Sequence, residues 1–382
     1  MLKALNQAGQ PILLMNKTRA EMNELRKQSF YCPGCKEKVF IRAGDKVVPH
    51  YAHFHSNSCS LGYGEGEYHR QGKLDLYKWL QLQGIQVELE YYIPKIRQRP
   101  DLLLKWKGWI YALEFQCAVI PVNIIRERTK GYLRLGIQPI WILGENRIKW
   151  KYQHRVQLTN FESLFLQQLS SNTEPKFLIY HPRTKVFTIL TNPYPLKNKV
   201  YGHVQSRLLT QLSFSTLFNH IDISTKALMD YWLKEKMKFR TRRQRHYSKE
   251  DSKYLHWLYQ KGLHPQSIPS EIHLPLDHHY LSNTPVYIWQ SEFLLNHIHP
   301  LSIGEKVYYK PISEDFSVIP SFYNPQHDVQ LEYLLLLERL QILTSNGKFS
   351  FYKKNEVLFP KSLEQAINND KKVMKQIVET IG

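Results

Sequence analysis

Four cysteines in 382 residues are too few for a disulfide framework. No apolar run approaches the roughly 20 residues that span a bilayer. The opening MLKALNQAGQPILLM is broken by Asn6, Gln7 and Gln10 and has no small-residue cleavage pattern, so no signal peptide is read there. Internal repeats and low-complexity tracts are lacking. With 42% apolar and 22% charged residues the composition is that of a globular protein, which excludes disordered, collagen-like and coiled-coil architectures. Acid is the scarce charge: 33 Asp and Glu against 52 Lys and Arg leave +19. Such an excess predicts attraction to a polyanion, nucleic acid ahead of a phospholipid surface. The expectation is a basic cytoplasmic protein of two to three domains, at about 150 residues each.

What is present reads as alternating elements. Residues 4–5 and 12–15 flank a turn signal at Gly9, as in a short hairpin, and Thr18 with Glu21 forms a capping box for a polar helix over 18–27. Leu74, Leu76, Tyr77 and Leu80 recur at helical spacing within 68–83, and Gly84 closes that helix. Val87, Leu89 and Tyr91 then alternate as in a strand. Residues 102–104 and 109–115 are apolar runs separated by the turn signal Lys107-Gly108. A helix over 123–135 ends at Gly136, and the run 139–143 reads as a buried strand. Helix, three strands, helix, strand predicts mixed α/β structure around a central sheet. Residues 177–179 and 186–190 make a further hairpin. Beyond residue 220 the pattern is mainly helical, and the helix predicted over 330–343 feeds a hairpin, an order found in winged-helix modules.

Tyr31-Cys32-Pro33-Gly34-Cys35 is a zinc-knuckle turn, offering two thiolates from one tight loop. A tetrahedral zinc ion wants two more nitrogen or sulfur ligands from a second element. The segment Pro49-His50-Tyr51-Ala52-His53-Phe54-His55, followed by Cys59, offers them. The expected set is Cys32, Cys35, His53 and Cys59. His50 replaces His53 if that strand turns its other face inward. Four protein ligands would make the site structural.

Arg99-Pro100-Asp101 begins one strand, and Leu113-Glu114-Phe115-Gln116 lies on the next. Alternation puts Glu114 and Gln116 on one face, and a hairpin would set Asp101 beside Glu114. Crowded carboxylates repel unless a hard divalent cation neutralises them, so the pattern predicts a Mg²⁺ or Mn²⁺ site acting on a phosphate. Glu67, at the start of the preceding helix, is a third candidate ligand, and His69 a group to orient water or hold phosphate. The competing reading makes Asp101 a turn residue and Glu114 a solvated strand residue.

A helix-borne acid, then Pro-Asp, then Glu-x-Gln on the next strand resembles the nuclease core of the PD-(D/E)xK superfamily. More narrowly, several features resemble the CoiA competence protein family. These are Cys32-Pro-Gly-Cys35, Pro49-His50-Tyr51-Ala52-His53, the helix start from Glu67 to Lys73, Arg99-Pro100-Asp101 and Glu114-Phe115-Gln116. Arg128-Thr129 to Tyr132, residues 136–143, Trp257-Leu258-Tyr259-Gln260 and Ile288-Trp289-Gln290 extend it. The resemblance implies an α/β fold with a restriction-endonuclease-like mixed sheet flanked by helices. A small zinc-binding module (1–62) would precede this nuclease-like domain (63–220), and a mainly helical, basic C-terminal domain (221–382) would follow it. It also implies a role in natural transformation, processing or promoting recombination of incoming DNA, with recombination proteins as further partners. Asp101, Glu114 and Glu67 would bind metal. Gln116 stands where many superfamily members have lysine, which shifts work to the metal and to cations such as Arg126, Arg128 and Lys130, with Lys130 the substitute for the missing lysine.

Lys234, Lys238, Arg242, Arg245 and Lys249 recur every three or four residues, and Lys236, Arg240 and Arg243 widen the array. On one continuous helix they would form a cationic stripe whose self-repulsion a DNA backbone would relieve. A solvated helix face is the plain alternative. Tyr254 and Trp257 read as core. Three functions follow as expectations: a metal-dependent deoxyribonuclease, a non-catalytic DNA-binding recombination mediator on a degenerate nuclease fold, and an RNA-processing enzyme.

Overall fold

The opening hairpin forms around Gly9, whose φ of 74° suits glycine. It pairs β1 (Lys3–Leu5) with β2 (Pro11–Leu13). A computed structural model describes residues 1–15, 17–44, 47–54, 66–152, 155–170, 173–196, 199–219, 225–241, 248–276, 278, 284–309, 328–347 and 350–381. Helix α1 (Arg19–Arg26) starts at Thr18 with both capping-box hydrogen bonds made. Then β3 (Phe30–Tyr31), β4 (Lys38–Gly44) and β5 (Val47–His53) complete a five-stranded antiparallel sheet ordered β2-β1-β3-β4-β5.

The central sheet follows. Helix α2 (Glu67–Leu82) leads through a glycine turn at Gly84 to β6 (Gln86–Leu89), and β7 (Leu102–Trp106) and β8 (Trp109–Gln116) form a tight hairpin. Helix α3 (Val122–Arg134) crosses over to β9 (Ile137–Gly144). The chain continues through β10 (Lys149–Tyr152), β11 (Arg155–Gln157), α4 (Asn160–Ser163), β12 (Lys176–His181), β13 (Val186–Leu196) and β14 (Lys199–Leu208). All nine strands join one sheet, ordered β10-β11-β14-β13-β12-β9-β8-β7-β6. It is mixed, because β9 runs parallel to both β8 and β12 while β6, β7 and β8 pair antiparallel. The strand parity assigns the two faces. Leu113 and Phe115 pack with Leu76, Trp79 and Leu80 of α2, whereas Ala112 packs with Tyr132 of α3. Burying one such leucine contributes roughly 1.5–3 kcal/mol, so these helices are fixed on the sheet by their apolar stripes.

The described residues divide into two compact units, one chiefly Met1–Pro193 with Asn198–Ile221, the other chiefly Asp222–Ser317 and Asn324–Gly382. The second contains α5 (Thr225–Thr241), α6 (Lys249–Gln260), α7 (Val286–Phe293), β15 (Lys306–Val307), α8 (Val329–Arg339), β16 (Leu343–Ser345), β17 (Phe351–Lys353) and α9 (Leu363–Ile381). Helix α8 does feed a hairpin, and β15 adds a third strand in the order β15-β17-β16. The helix stops earlier than the apolar pattern suggests, because the backbone turns left-handed at Gln341 (φ 64°). Tyr254 is buried and Trp257 half-buried, stacked on each other. Among the described residues no helix is long and apolar enough to cross a membrane.

Candidate functional site

The knuckle turn brings sulfur and nitrogen together. The Lys36 amide donates to the Cys32 carbonyl at 3.0 Å, and the Cys32 amide donates to the Glu37 carbonyl at 2.8 Å, closing the loop that carries both cysteines. Cys35 Sγ lies 3.3 Å from His53 Nε2. The ligand atoms of Cys32, Cys35 and His53 all fall within 4.8 Å of one another, close enough to share one ion. Burial lowers the His53 pKa and so favours the neutral imidazole that a metal requires. His50 is three residues away on β5, hence on the other face of the strand, and its Nδ1 hydrogen-bonds the Val48 carbonyl at 2.9 Å. Of the two histidines weighed from sequence, His53 is therefore the one in the cluster. Cys59, the expected fourth ligand, lies outside the described residues, as does His55.

The carboxylates meet on the β7–β8 hairpin. The ladder ends with Leu102 opposite Leu113, and Asp101 stands one residue before that pair while Glu114 stands one residue after it. Asp101 Oδ2 accepts hydrogen bonds from the Phe115 amide at 2.9 Å and from His69 Nε2 at 3.1 Å. The Lys73 ammonium lies 3.3 Å from Asp101 Oδ1 and 2.5 Å from Glu90 Oε1. His69 and Lys73 are four residues apart on α2, so one helix face delivers both to Asp101. The Glu114 carboxylate, on the α3 side, accepts hydrogen bonds from Arg128 Nη2 and from the Tyr132 hydroxyl, two groups also four residues apart. Burial pushes the Glu114 pKa up, Arg128 opposes that, and the Asp101 charge adds to the rise. Arg128 is itself held firmly charged: burial works against its charge, but Glu114, Tyr132 and Asp101 outweigh it.

Several expectations need correction. The two acids do not stand as bare like charges, because the chain supplies Lys73 and Arg128 as countercharges and His69 as a hydrogen-bond partner. Arg128 is thus committed to Glu114 rather than presented to nucleic acid, and it also donates to the Arg99 carbonyl at 3.0 Å and to the Tyr132 hydroxyl at 3.3 Å. Glu67 sits in the first turn of α2 with its side chain half exposed, 3.8 Å from Arg70. It precedes His69 by two residues, about 200° around the helix, and so does not join the face that meets Asp101. Gln116 lies at the end of β8, where its amide donates to the Ala118 carbonyl. Arg126 and Lys130 are exposed on α3. Sequence reasoning assigned no role to Lys73 or Glu90. A lysine between Gly72 and Leu74, on the apolar stripe of α2, was the available signal.

Family models match nearly the whole chain in three consecutive pieces: the competence protein CoiA N-terminal domain over residues 14–62, its nuclease-like domain over 65–222 and its C-terminal domain over 228–367. The chain is also 32% identical over 279 residues to competence protein CoiA of Bacillus subtilis (strain 168), covering 71% of this chain and 73% of that relative. The chain belongs to the CoiA competence protein family. The carboxylate pair lies in the stretch matched by the nuclease-like CoiA domain, and the Cys32–Cys35–His53 cluster in the stretch matched by the CoiA N-terminal domain. No solved structure matches the chain.

Within the part matched by the CoiA C-terminal domain, the basic array is not one helical stripe. Helix α5 ends at Thr241, and Ser248 caps α6 with an extended backbone (ψ 162°), so the helix is interrupted before Lys249. Lys234, Lys238 and Lys249 are exposed, Lys238 pairing with Glu235 at 2.6 Å. Arg242, Arg243 and Arg245 lie outside the described residues. Lys236 and Arg240, expected to widen the array, are buried instead. Arg240 grips Asp370 of α9 with two nitrogens at 2.6 and 2.8 Å, and Lys236 sits 3.2 Å from the same carboxylate. They anchor one helix to another.

Proposed function

We propose that this protein acts in bacterial natural transformation, in the cytoplasm, as a metal-dependent deoxyribonuclease on incoming DNA. The observation that carries the reading is that two buried carboxylates, Asp101 and Glu114, adjoin the same end of the β7–β8 ladder, near enough for the Asp101 charge to act on Glu114. Both offer hard oxygen donors; burial raises the Glu114 pKa, the Asp101 charge adds to the rise, and a divalent cation would offset both costs. Asp101 and Glu114 would hold Mg²⁺ or Mn²⁺, which when bound supplies Lewis acidity to a phosphate and acidifies a coordinated water. His69 and the Phe115 amide fix the Asp101 carboxylate in orientation, and Arg128 with Tyr132 fixes Glu114. Gln116, at the end of the same strand, hydrogen-bonds the attacking water in this scheme. Exposed Arg126, Lys130, Lys234, Lys238 and Lys249 supply contacts to the DNA backbone, in keeping with the charge of +19. Cys32, Cys35, His53 and Cys59 form a structural zinc site. Proteins of recombination are the partners that such a role needs.

One observation favours a second reading. Glu114 is already satisfied by Arg128 and Tyr132, as it would be in a degenerate nuclease fold that binds DNA and promotes recombination without cutting it. Asp101→Asn and Glu114→Gln decide between the two. The nuclease reading expects Mg²⁺- or Mn²⁺-dependent cleavage to fall at least about a hundredfold in each variant, with salt-sensitive DNA retention unchanged. Absence of turnover in the parent protein with any divalent cation, together with normal transformation by the Asp101→Asn strain, would establish the mediator instead.

A further inference from the structure

The two oxygens of Asp101 face different partners. Oδ2 is taken by the Phe115 amide and by His69. Oδ1 faces the ammonium of Lys73 at 3.3 Å. A cation approaching Asp101 has to compete for Oδ1, and Lys73 is already there. The Lys73 side chain is fully buried, so its charge is not shared with bulk water and depends on carboxylates for stability. Its nearer partner is Glu90 Oε1 at 2.5 Å.

Glu90 is built into place. Its other oxygen accepts the amides of Leu2 and Lys3 at 2.8 and 3.2 Å, and Arg99 Nη1 stands 3.9 Å away. Its own amide donates to the Asp101 carbonyl at 2.9 Å. Its backbone is left-handed (φ 49°), a conformation that costs a non-glycine residue energy and that these bonds hold in place. The ammonium is therefore suspended between a fixed carboxylate, Glu90, and a candidate metal ligand, Asp101.

We propose that Lys73 is an internal counter-ion for Asp101, which a divalent cation displaces and which then rests wholly on Glu90. The proposal builds on Asp101 as a metal ligand. Lys73 is a positioning residue here. It keeps the carboxylate oriented and neutralised before metal arrives, and it sets the concentration at which metal can take over. Glu90 makes the exchange possible without stranding a buried charge, since the ammonium keeps one carboxylate throughout.

The test is direct Mn²⁺ binding to the full chain without DNA, followed by calorimetry and by loss of the free-ion electron paramagnetic resonance signal. Lys73→Met should bind Mn²⁺ at least about tenfold more tightly than the parent, because a positive charge next to the ligand oxygen has gone. Lys73→Arg, which keeps the charge, should stay near the parent affinity. Asp101→Asn should lose the site. If Lys73→Met does not fold, Lys73→Met/Glu90→Gln, which removes both charges of the pair, carries the test and should again bind more tightly than the parent. Unchanged or weaker Mn²⁺ binding in the folded Lys73 variant, with binding lost in Asp101→Asn, would overturn the counter-ion role and leave the metal site standing. Unchanged binding in Asp101→Asn would remove the metal site itself.

Discussion

Gly72 of α2 lies flat against the ring of Phe115 on β8: a Cβ at position 72 would come within 2.0 Å of Phe115 Cε1. The contact sets how closely the helix approaches the strand. His69 and Lys73, on either side of Gly72, reach Asp101 only at that distance. Gly72→Ala is expected to push α2 away from β8, costing about 1–3 kcal/mol of stability by overpacking. Chemical denaturation measures the loss. A folded Gly72→Ala protein should also show a changed His69 titration by NMR, because its partner has moved.

Buried Glu114 pairs with the partly exposed Arg128, and removing Arg128 leaves the carboxylate uncompensated. Arg128→Met is expected to destabilise the protein by roughly 3–5 kcal/mol, and Glu114→Gln/Arg128→Met to recover much of it. The two states also differ in pH response. Burial raises the folded-state Glu114 pKa above its ordinary value, so between the two values the native state holds a proton that the unfolded chain has released. This group's contribution to stability therefore falls as pH rises through that window, whereas cation binding to its ionised form strengthens. Thermal melts and Mn²⁺ titrations from pH 4.5 upward should show these opposite slopes, and Glu114→Gln should flatten both.

For the N-terminal cluster, zinc content of the purified protein, measured by plasma mass spectrometry, should be near one per chain. His53→Ala and Cys32→Ser should lower it strongly. His50→Ala should not, since His50 bonds the Val48 carbonyl on the opposite face of β5. Chelation should expose the thiols of Cys32 and Cys35 to alkylation.

In the second unit, Asp370→Asn is expected to cost about 3–5 kcal/mol, because Arg240 and Lys236 lose the carboxylate that balances them. Burial opposes ionisation of Asp370, but Lys236, Arg240 and Ser270 prevail and hold its pKa below the ordinary value. Its stabilisation is therefore complete above the unfolded value near 3.8 and lost as pH falls through the folded one. Acid unfolding should set in at higher pH for Asp370→Asn than for the parent, and the stability difference between the two should shrink as pH falls below about 3.8.

The elements that position the carboxylates were legible because each has a local signature. Alternation marks β7 and β8, the Lys107-Gly108 dipeptide marks their turn, and the 3.6-residue stripe ending at Gly84 marks α2. Strands β4, β10, β11 and β14 were not anticipated, because their short or mixed apolar runs are weak signals, even though β4 pairs with the adjacent β5 and β10 with the adjacent β11. A second limit explains the basic array. Spacing alone cannot distinguish Lys234, which faces outward, from Arg240, which meets an aspartate 130 residues away. It also explains why Lys73, although it closes the Glu67–Lys73 helix-start motif, and Glu90, which belongs to no motif, were given no role until the fold brought them together.

The Lys107-Gly108 turn has positive φ at both residues, 47° and 82°, the geometry that joins strands with a two-residue loop. From Trp106 opposite Trp109 the ladder runs without a slip to Leu102 opposite Leu113. This distant loop is the gauge that aligns the two acids. One residue inserted there would offset the ladder and change which residue of β8 stands beside Asp101, at a distance of roughly 17 Å from the change itself. A two-residue insertion can be absorbed as a longer loop that keeps both the register and the inward and outward faces. Length errors at this bend should therefore disrupt the candidate carboxylate site in an odd-even rhythm, although the bend lies at the far end of the hairpin.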